Sequence, residues 1–153
     1  TTIVNSEGRT SFLPEYTNAY ALLPPDLRAK VENALQITTD QLLRAYALAD
    51  SCRPMLDAMF GSTVDVILTP SSKGEAPLGL HTTGDAVFNR MWTLLHVPNI
   101  NIPVCRGPNN LPVGVTLVGK RLSDARLLAI SQALAPVIDT DPGANARELW
   151  AVS

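Results

Sequence analysis

A serine and a lysine stand two residues apart in Ser71-Ser72-Lys73, and this pairing could do chemistry. In an extended segment residues i and i+2 lie on the same side, so the two side chains would be within reach. A lysine with a depressed pKa can deprotonate a serine and turn it into a nucleophile. However, Lys73 is followed by Gly74 and Glu75 in a polar loop, where nothing removes water from its ammonium group. We therefore expect an ordinary solvated loop, with an independent Ser-Lys hydrolase as a minor alternative.

Two other features resemble functional sequences. Gly114 to Arg121 nearly spells a phosphate-binding P-loop, but the residues between Gly114 and Gly119 are apolar or β-branched and alternate as in a strand. Arg121 also replaces the hydroxyl residue that would hold magnesium, so we expect a strand that ends in a glycine turn. Thr1 could be an N-terminal nucleophile with its own amine as base, although it heads a polar, aperiodic stretch. A nucleophilic Thr1 is therefore kept only as part of the minor alternative, an independent hydrolase.

The two histidines, His81 and His96, lack the neighbours that a metal site needs. There is no HExxH motif, no cysteine pair and no matching carboxylate spacing, so we predict neither a metal nor any other cofactor. His96 follows an apolar helical pattern and precedes Val97-Pro98, which favours a capping role at the helix C-terminus. His81 lies in a long loop and is a candidate pocket residue.

The composition excludes several partners. The chain has 153 residues with 12 basic and 14 acidic side chains, and neither sign forms a run. The sequence therefore predicts binding to neither nucleic acid nor a membrane surface. Cys52 and Cys105, both in apolar surroundings, are too few for a disulfide framework and favour reduced thiols in a cytoplasmic protein. The first residues do not resemble a secretory signal.

The apolar spacing predicts four helices, at about residues 26–37, 40–60, 85–95 and 124–135. Pro54 lies inside the second, where we expect a kink and not a break because the apolar face resumes after it. Pro136 is expected to stop the fourth helix. We expect an irregular lead-in over residues 1–23 and a tail of little periodicity over residues 139–153.

Three short segments read as strands. Residues 64–69 are almost wholly apolar and predict a strand covered on both faces, followed by a loop of residues 71–84 that is long enough to be functional. Residues 100–104 and 113–117 alternate around a turn at 107–110, which predicts a hairpin. The fold class is therefore α/β, with about three strands flanked by helices. Three strands are few for a self-sufficient sheet, so the chain looks like part of something larger.

Several motifs, taken in order, closely resemble the C-terminal part of the amidase signature family over about residues 16–138. They are Asp65-Val-Ile-Leu-Thr-Pro70, Ala76-Pro77, a helix with Asn89 and Trp92-Thr93, Val97-Pro98-Asn-Ile-Asn-Ile-Pro103, Leu111-Pro-Val-Gly-Val-Thr-Leu-Val-Gly119, and Ser123-Asp124 with Leu127-Leu128. Each motif alone is weak, but their order is specific. The chain departs from the family at His96, where a glycine is usual, at Thr116, where a glutamine is usual, and around Trp92-Thr93, where an asparagine is frequent.

The resemblance implies a mixed sheet flanked by helices, and an α/β portion at residues 24–138 between the lead-in and the tail. It also implies amide hydrolysis by a serine nucleophile, a second serine and a lysine base, carried by a Gly/Ser-rich signature and a helix end upstream of the matched region. No such signature occurs in this chain, so no catalytic residue can be assigned to it. By the same resemblance, the 69–81 loop and the 88–95 helix would wall the acyl side of the pocket. The substrate-binding candidates are His81, Phe88, Trp92 and Thr93.

Two functions from different classes follow. The first is part of an amidase that acts on a small-molecule amide when joined to the N-terminal part, so that this chain alone would be inactive. The alternative is a non-catalytic amidase-like binding or assembly module that acts with a partner chain. Exposed sheet edges and helix faces also predict self-association, and hence a homo-oligomer.

Overall fold

The computed structural model describes residues 1–139 and divides the chain into two compact units, with the boundary between Cys52 and Arg53 inside a long helix. Of the tail expected over residues 139–153, only residue 139 is among the described residues. The domain limits drawn from the sequence, at residues 23/24 and 138/139, stay predictions. Among residues 1–139, no helix is both long enough and apolar enough to pass through a membrane.

The first unit is helical. It contains α1 (Thr2–Ser11), α2 (Leu13–Asn18), a 3-10 turn (Tyr20–Leu22), α3 (Pro25–Val31) and the first part of α4 (Thr39–Met59). Helix α1 packs on α3, where the buried Gly8 leaves room for the side chain of Lys30. The expected irregular lead-in is therefore wrong. Helix α1 is largely polar and α2 has a proline in its first turn, so the two helices were not apparent from apolar spacing and gain their stability from packing.

The second unit is built on a three-stranded sheet in the order β1-β3-β2, with β1 at Ile67–Pro70, β2 at Asn99–Arg106 and β3 at Pro112–Val118. Both pairings are antiparallel, which confirms the predicted hairpin of β2 and β3. The register of β2 shifts between Pro103 and Cys105, since proline cannot donate to the ladder. Residues 114–118 lie in β3, as expected for a strand and not for a P-loop.

Helix α6 (Asp124–Ile138) covers one face of this sheet. The core is formed by Ile102, Leu117 and Leu127, all nearly inaccessible to solvent, and seven partly buried side chains pack around them. Helices and a three-stranded sheet therefore confirm the predicted fold class. Leu68 on the edge strand β1 is 56% exposed, so the strand is not covered on both faces within the described residues.

Three helix boundaries differ from the prediction. Helix α3 ends at Val31 and not near residue 37, since Asn33 takes a left-handed conformation with φ of 53°. Helix α5 runs only from Arg90 to Leu95. Before it, residues 84–86 are irregular and residues 87–89 form a turn, in which the amide of Asn89 donates to the carbonyl of Ala86. Helix α6 continues past Pro136, since a proline removes one backbone hydrogen bond while Ala135 and Ile138 still pack on the core. Helix α4 remains one helix with Pro54 inside it, as expected.

His96 caps the C-terminus of α5, as predicted. Its φ is 57°, a left-handed conformation that favours glycine, which explains why a glycine would suit this position. The side chain of Arg53 donates to the carbonyl of Leu94 at 2.9 Å and lies 3.2 Å from the Nε2 atom of His96. A cation at a helix C-terminus satisfies the last carbonyls and fits the helix dipole.

Candidate functional site

An open pocket lies in the second unit, between the loop after β1 and one face of the sheet. Its volume is about 710 Å³. The loop supplies one wall and the sheet supplies the floor. The lining residues that matter below are Ser71, Lys73, Glu75, Asp85, Asn89, Asn101, Gly114 and Thr116.

The floor of the pocket carries a row of hydrogen-bonded polar side chains. Thr116 on β3 pairs in register with Asn101 on β2, so their side chains lie on the same face of the sheet. The hydroxyl of Ser71 donates to Oδ1 of Asn101 and lies 2.8 Å from the hydroxyl of Thr116. Since Ser71 has one proton to donate, Thr116 is the donor to Ser71. The chain of donors thus runs from Thr116 through Ser71 to Asn101.

Gly114 makes this arrangement sterically feasible. A Cβ atom at Gly114 would overlap with Oδ1 of Asn101 and would lie 3.0 Å from the carbonyl oxygen of Ile102. The amide of Asn101 therefore occupies the space that any other residue at position 114 would fill. The carbonyl of Gly114 also accepts a hydrogen bond from the amide of Ser71 at 3.1 Å, which ties the start of the loop to β3.

A second asparagine reaches the same serine from another element. Asn89, the residue before helix α5, donates from Nδ2 to the backbone carbonyl of Ser71 at 2.9 Å. Ser71 therefore holds one asparagine through its hydroxyl and another through its carbonyl. Among residues 1–139, neither Nδ2 of Asn101 nor Oδ1 of Asn89 has a hydrogen-bond partner.

Glu75 fastens the loop to the turn of the β2–β3 hairpin. Its carboxylate accepts hydrogen bonds from the backbone and side chain of Asn109, at 2.9 and 2.7 Å, and from the backbone of Leu111 at 2.9 Å. Partial desolvation raises the pKa of Glu75, but these hydrogen bonds outweigh it and hold the pKa below its ordinary value. A Cβ atom at Gly107 would lie 2.5 Å from Cγ of Glu75, so glycine is required there for the close approach.

Lys73 is committed to a different partner from the one that a Ser-Lys dyad needs. Its ammonium group lies 2.7 Å from the carboxylate of Asp85, which is also 3.6 Å from the guanidinium of Arg90. The hydrogen bond from Lys73 is the main cause that lowers the pKa of Asp85. The side chain of Lys73 is 63% exposed, so nothing desolvates it as a general base would require. The expectation of a solvated loop agrees with this geometry.

None of the four predicted substrate-binding residues is among the lining residues of the pocket. His81 and Thr93 are exposed and Phe88 is half-buried. Trp92 is buried, and its Nε1 atom is inaccessible to solvent with no hydrogen-bond partner among the described residues. Their contact with substrate stays a prediction.

Sequence reasoning missed Asn101 and Thr116 as a joint feature. The sequence marks Asn101 only as a residue of a predicted strand and Thr116 only as a departure from a family motif. The available signal was a polar residue at the centre of each strand of a predicted hairpin, which a register argument would have brought to one face. The partnership of both with Ser71 depends on β1 pairing with β3, which no local pattern specifies.

Comparison with known proteins gives consistent matches. A family model described as Amidase matches residues 24–128. Indoleacetamide hydrolase of Rhizobium radiobacter is 36% identical over 138 residues, covering 74% of this chain and 28% of that protein. A mitochondrial glutamyl-tRNA(Gln) amidotransferase subunit of Rattus norvegicus is 30% identical over 83 residues, covering 48% of this chain and 16% of that protein.

A solved structure shares the fold. A crystal structure of an amidase superposes with a TM-score of 0.74 at 23% identity, covering 90% of this chain and 34% of that one. The present chain therefore spans less than a third of the curated relatives it matches and about a third of this solved structure.

Proposed function

The chain belongs to the amidase family, and on that premise we propose that it forms part of a hydrolase that cleaves a carboxamide C–N bond. In this proposal it supplies the sheet scaffold and one wall of the pocket. The nucleophilic serine, the second serine and the lysine base lie in a segment outside this chain. That segment and this chain together form an active site that works through an acyl-enzyme intermediate.

One observation carries this proposal. The family match over residues 24–128 includes every residue that lines the pocket, so the pocket lies within the amidase-like region. The contacts in the pocket also favour a role for this chain as a wall of the substrate pocket and not as the catalytic centre. Ser71 is hydrogen-bonded to two uncharged side chains, so no base activates it as a nucleophile. Lys73 is paired with Asp85 and is not placed to act as that base.

The proposal includes substrate contacts by His81, Phe88, Trp92 and Thr93. For His81 and Phe88 this assignment is supported by their place in the chain, because the loop that carries His81 and the segment before α5 that carries Phe88 also supply residues that line the pocket. In a complete enzyme, Trp92→Ala should raise KM or shift substrate choice. Unchanged kinetics across several amides would contradict the assignment of Trp92.

We also propose a small-molecule amide as substrate, a homo-oligomeric state, a cytoplasmic location, and no nucleic-acid or membrane partner. The unpaired Cys52 and Cys105 support the location. Self-association is supported by Leu78 and Leu80, which are fully exposed in the pocket loop. Dilute-solution scattering that shows a compact monomer would contradict the homo-oligomer.

A chimera tests the function directly. The region of the Rhizobium radiobacter indoleacetamide hydrolase that aligns with this chain is replaced by this chain, and hydrolysis of indoleacetamide and of simpler amides is measured. We expect the chimera to hydrolyse at least one carboxamide, whereas the isolated 153-residue chain does not. A truncated relative without the aligned region is the negative control.

The outcomes separate the competing functions. A folded chimera with no activity towards any amide would overturn the proposal in favour of a non-catalytic assembly module. Hydrolysis by the isolated chain, or its labelling by a fluorophosphonate at Ser71, would favour an independent hydrolase. In the active chimera, Ser71→Ala should retain the ability to form the acyl-enzyme, since Ser71 is not the nucleophile.

A further inference from the structure

We propose that Asn89 and Asn101, both held by Ser71, form a donor–acceptor pair that binds an uncharged amide-like group of the substrate. This rests on the proposed function only in that the ligand is taken from an amide substrate. The pair itself is argued from the hydrogen bonds around Ser71.

Asn101 presents the donor. Its Oδ1 atom accepts the proton of Ser71, which in turn accepts from the buried hydroxyl of Thr116. A side chain whose oxygen is committed in this way turns its NH₂ group away from Ser71. Asn101 lines the pocket, and its NH₂ group has no other partner among residues 1–139. It is therefore available to a carbonyl oxygen.

Asn89 presents the complementary acceptor. Its NH₂ group is used by the carbonyl of Ser71, so its Oδ1 atom remains available in the described part of the chain. Asn89 also lines the pocket. A primary carboxamide has one carbonyl oxygen and two N–H donors, so it carries a partner for the free atom of each asparagine. A carboxylate offers no donor and a simple cation offers no acceptor.

The charges at the pocket wall disfavour an ionic ligand. Lys73 is paired with Asp85, and the carboxylate of Glu75 is occupied by Asn109 and Leu111. Lys73, Glu75 and Asp85 are the charged residues that line the pocket, and together they carry one net negative charge, which disfavours binding of a carboxylate. Lys73, Glu75 and Asp85 therefore each already have a hydrogen-bond or ion-pair partner. An uncharged ligand with both donor and acceptor capacity therefore fits best.

Three benzene derivatives test the pair on the unaltered 153-residue chain. Benzamide, N,N-dimethylbenzamide and benzoate share a ring but differ in donors and charge. We measure binding from the shifts of the side-chain NH₂ signals in a nuclear magnetic resonance titration. We expect benzamide to shift the Asn101 signal and to bind at least about tenfold more tightly than the other two, as expected for the loss of one or two hydrogen bonds. Equal affinities, or no binding of benzamide, would overturn the proposal.

Asn101→Asp is the sharpest variant, because it keeps an oxygen for Ser71 and removes the NH₂ donor. Benzamide affinity should fall about tenfold. Asn99→Asp is the matched control, since it makes the same charge change two residues away on β2 and does not line the pocket. Equal affinity in both variants would refute the role of Asn101. If Asn101→Asp does not fold, the comparison of the three ligands on the unaltered chain still decides.

The chimera separates this inference from the proposed function. If the chimera is inactive while benzamide still binds the chain selectively, only the proposed function fails. If the chimera is active but Asn101→Asp changes neither KM nor kcat, and the chain shows no preference for benzamide, only the asparagine pair fails.

Discussion

Removing the hydroxyl of Ser71 alone should cost more stability than removing the hydroxyls of both Ser71 and Thr116. The two hydroxyl oxygens lie 2.8 Å apart, and Thr116 is 3% exposed. In Ser71→Ala, the hydroxyl of Thr116 loses the acceptor that it has in the largely buried floor of the pocket. Leaving a buried donor unsatisfied costs about 1–3 kcal/mol in the free energy of unfolding.

The reverse substitution is milder. Thr116→Val replaces the hydroxyl by a methyl group of similar size, and Ser71 keeps Asn101 as its partner. The expected loss is about 1 kcal/mol, the net value of one hydrogen bond. In the double variant no buried hydroxyl remains unsatisfied, so we expect it to be more stable than Ser71→Ala alone.

Urea unfolding followed by circular dichroism measures all four proteins. The expected order of stability is wild type, then Thr116→Val, then the double variant, with Ser71→Ala the least stable. For the double variant to be more stable than Ser71→Ala, the coupling energy must exceed the loss of about 1 kcal/mol in Thr116→Val, which is within the range for residues in contact. If the two single losses simply add in the double variant, the two hydroxyls do not interact and the row of hydrogen bonds on the pocket floor is refuted.

Three further predictions follow from the described residues. Leu127→Ala should lower the free energy of unfolding by about 2–5 kcal/mol, because Leu127 is 1% exposed in the core; a loss below about 1 kcal/mol in urea unfolding would contradict that core. His96→Gly should raise the thermal midpoint of unfolding, because the left-handed backbone at this position costs a residue with a Cβ atom about 1 kcal/mol and costs glycine almost nothing. His96→Ala keeps the Cβ atom and should not raise the midpoint. The stabilisation from Glu75 is complete above its unfolded pKa and is lost as the pH falls through its lowered folded pKa, below 4.5. The protection of the Leu111 amide, measured as its exchange rate relative to the intrinsic rate at the same pH, should therefore fall at acid pH, and Glu75→Gln should abolish that pH dependence; an unchanged profile in the variant would exclude Glu75 as its source.

Local patterns predicted much of the second unit. Alternating apolar residues specified the hairpin of β2 and β3, and the apolar face that resumes after Pro54 specified a single helix. Such patterns succeed because the period of side chains follows directly from backbone geometry. The motif order was equally informative, since the family match at residues 24–128 lies within the region where the resemblance was seen.

Other features depended on contacts between distant residues. The helices of residues 2–18 contain few apolar residues and are stabilised by packing, so the sequence suggested an irregular segment. Helix α5 begins later than its apolar pattern implies, in a region where Asp85 binds Lys73 and Asn89 binds Ser71. Tertiary partners of this kind override local propensity.

The sequence by itself determined the fold class, the hairpin and the family, because these depend on side-chain periodicity and on short motifs in a fixed order. Only the tertiary structure decided which polar residues meet at the pocket. Ser71, Asn89, Asn101 and Thr116 come from four separate segments, and they converge because β1 pairs with β3 and because Gly114 leaves space for an amide. Pairing of strands so far apart in the chain is a property of the whole packed unit, so no local pattern of residues could specify it.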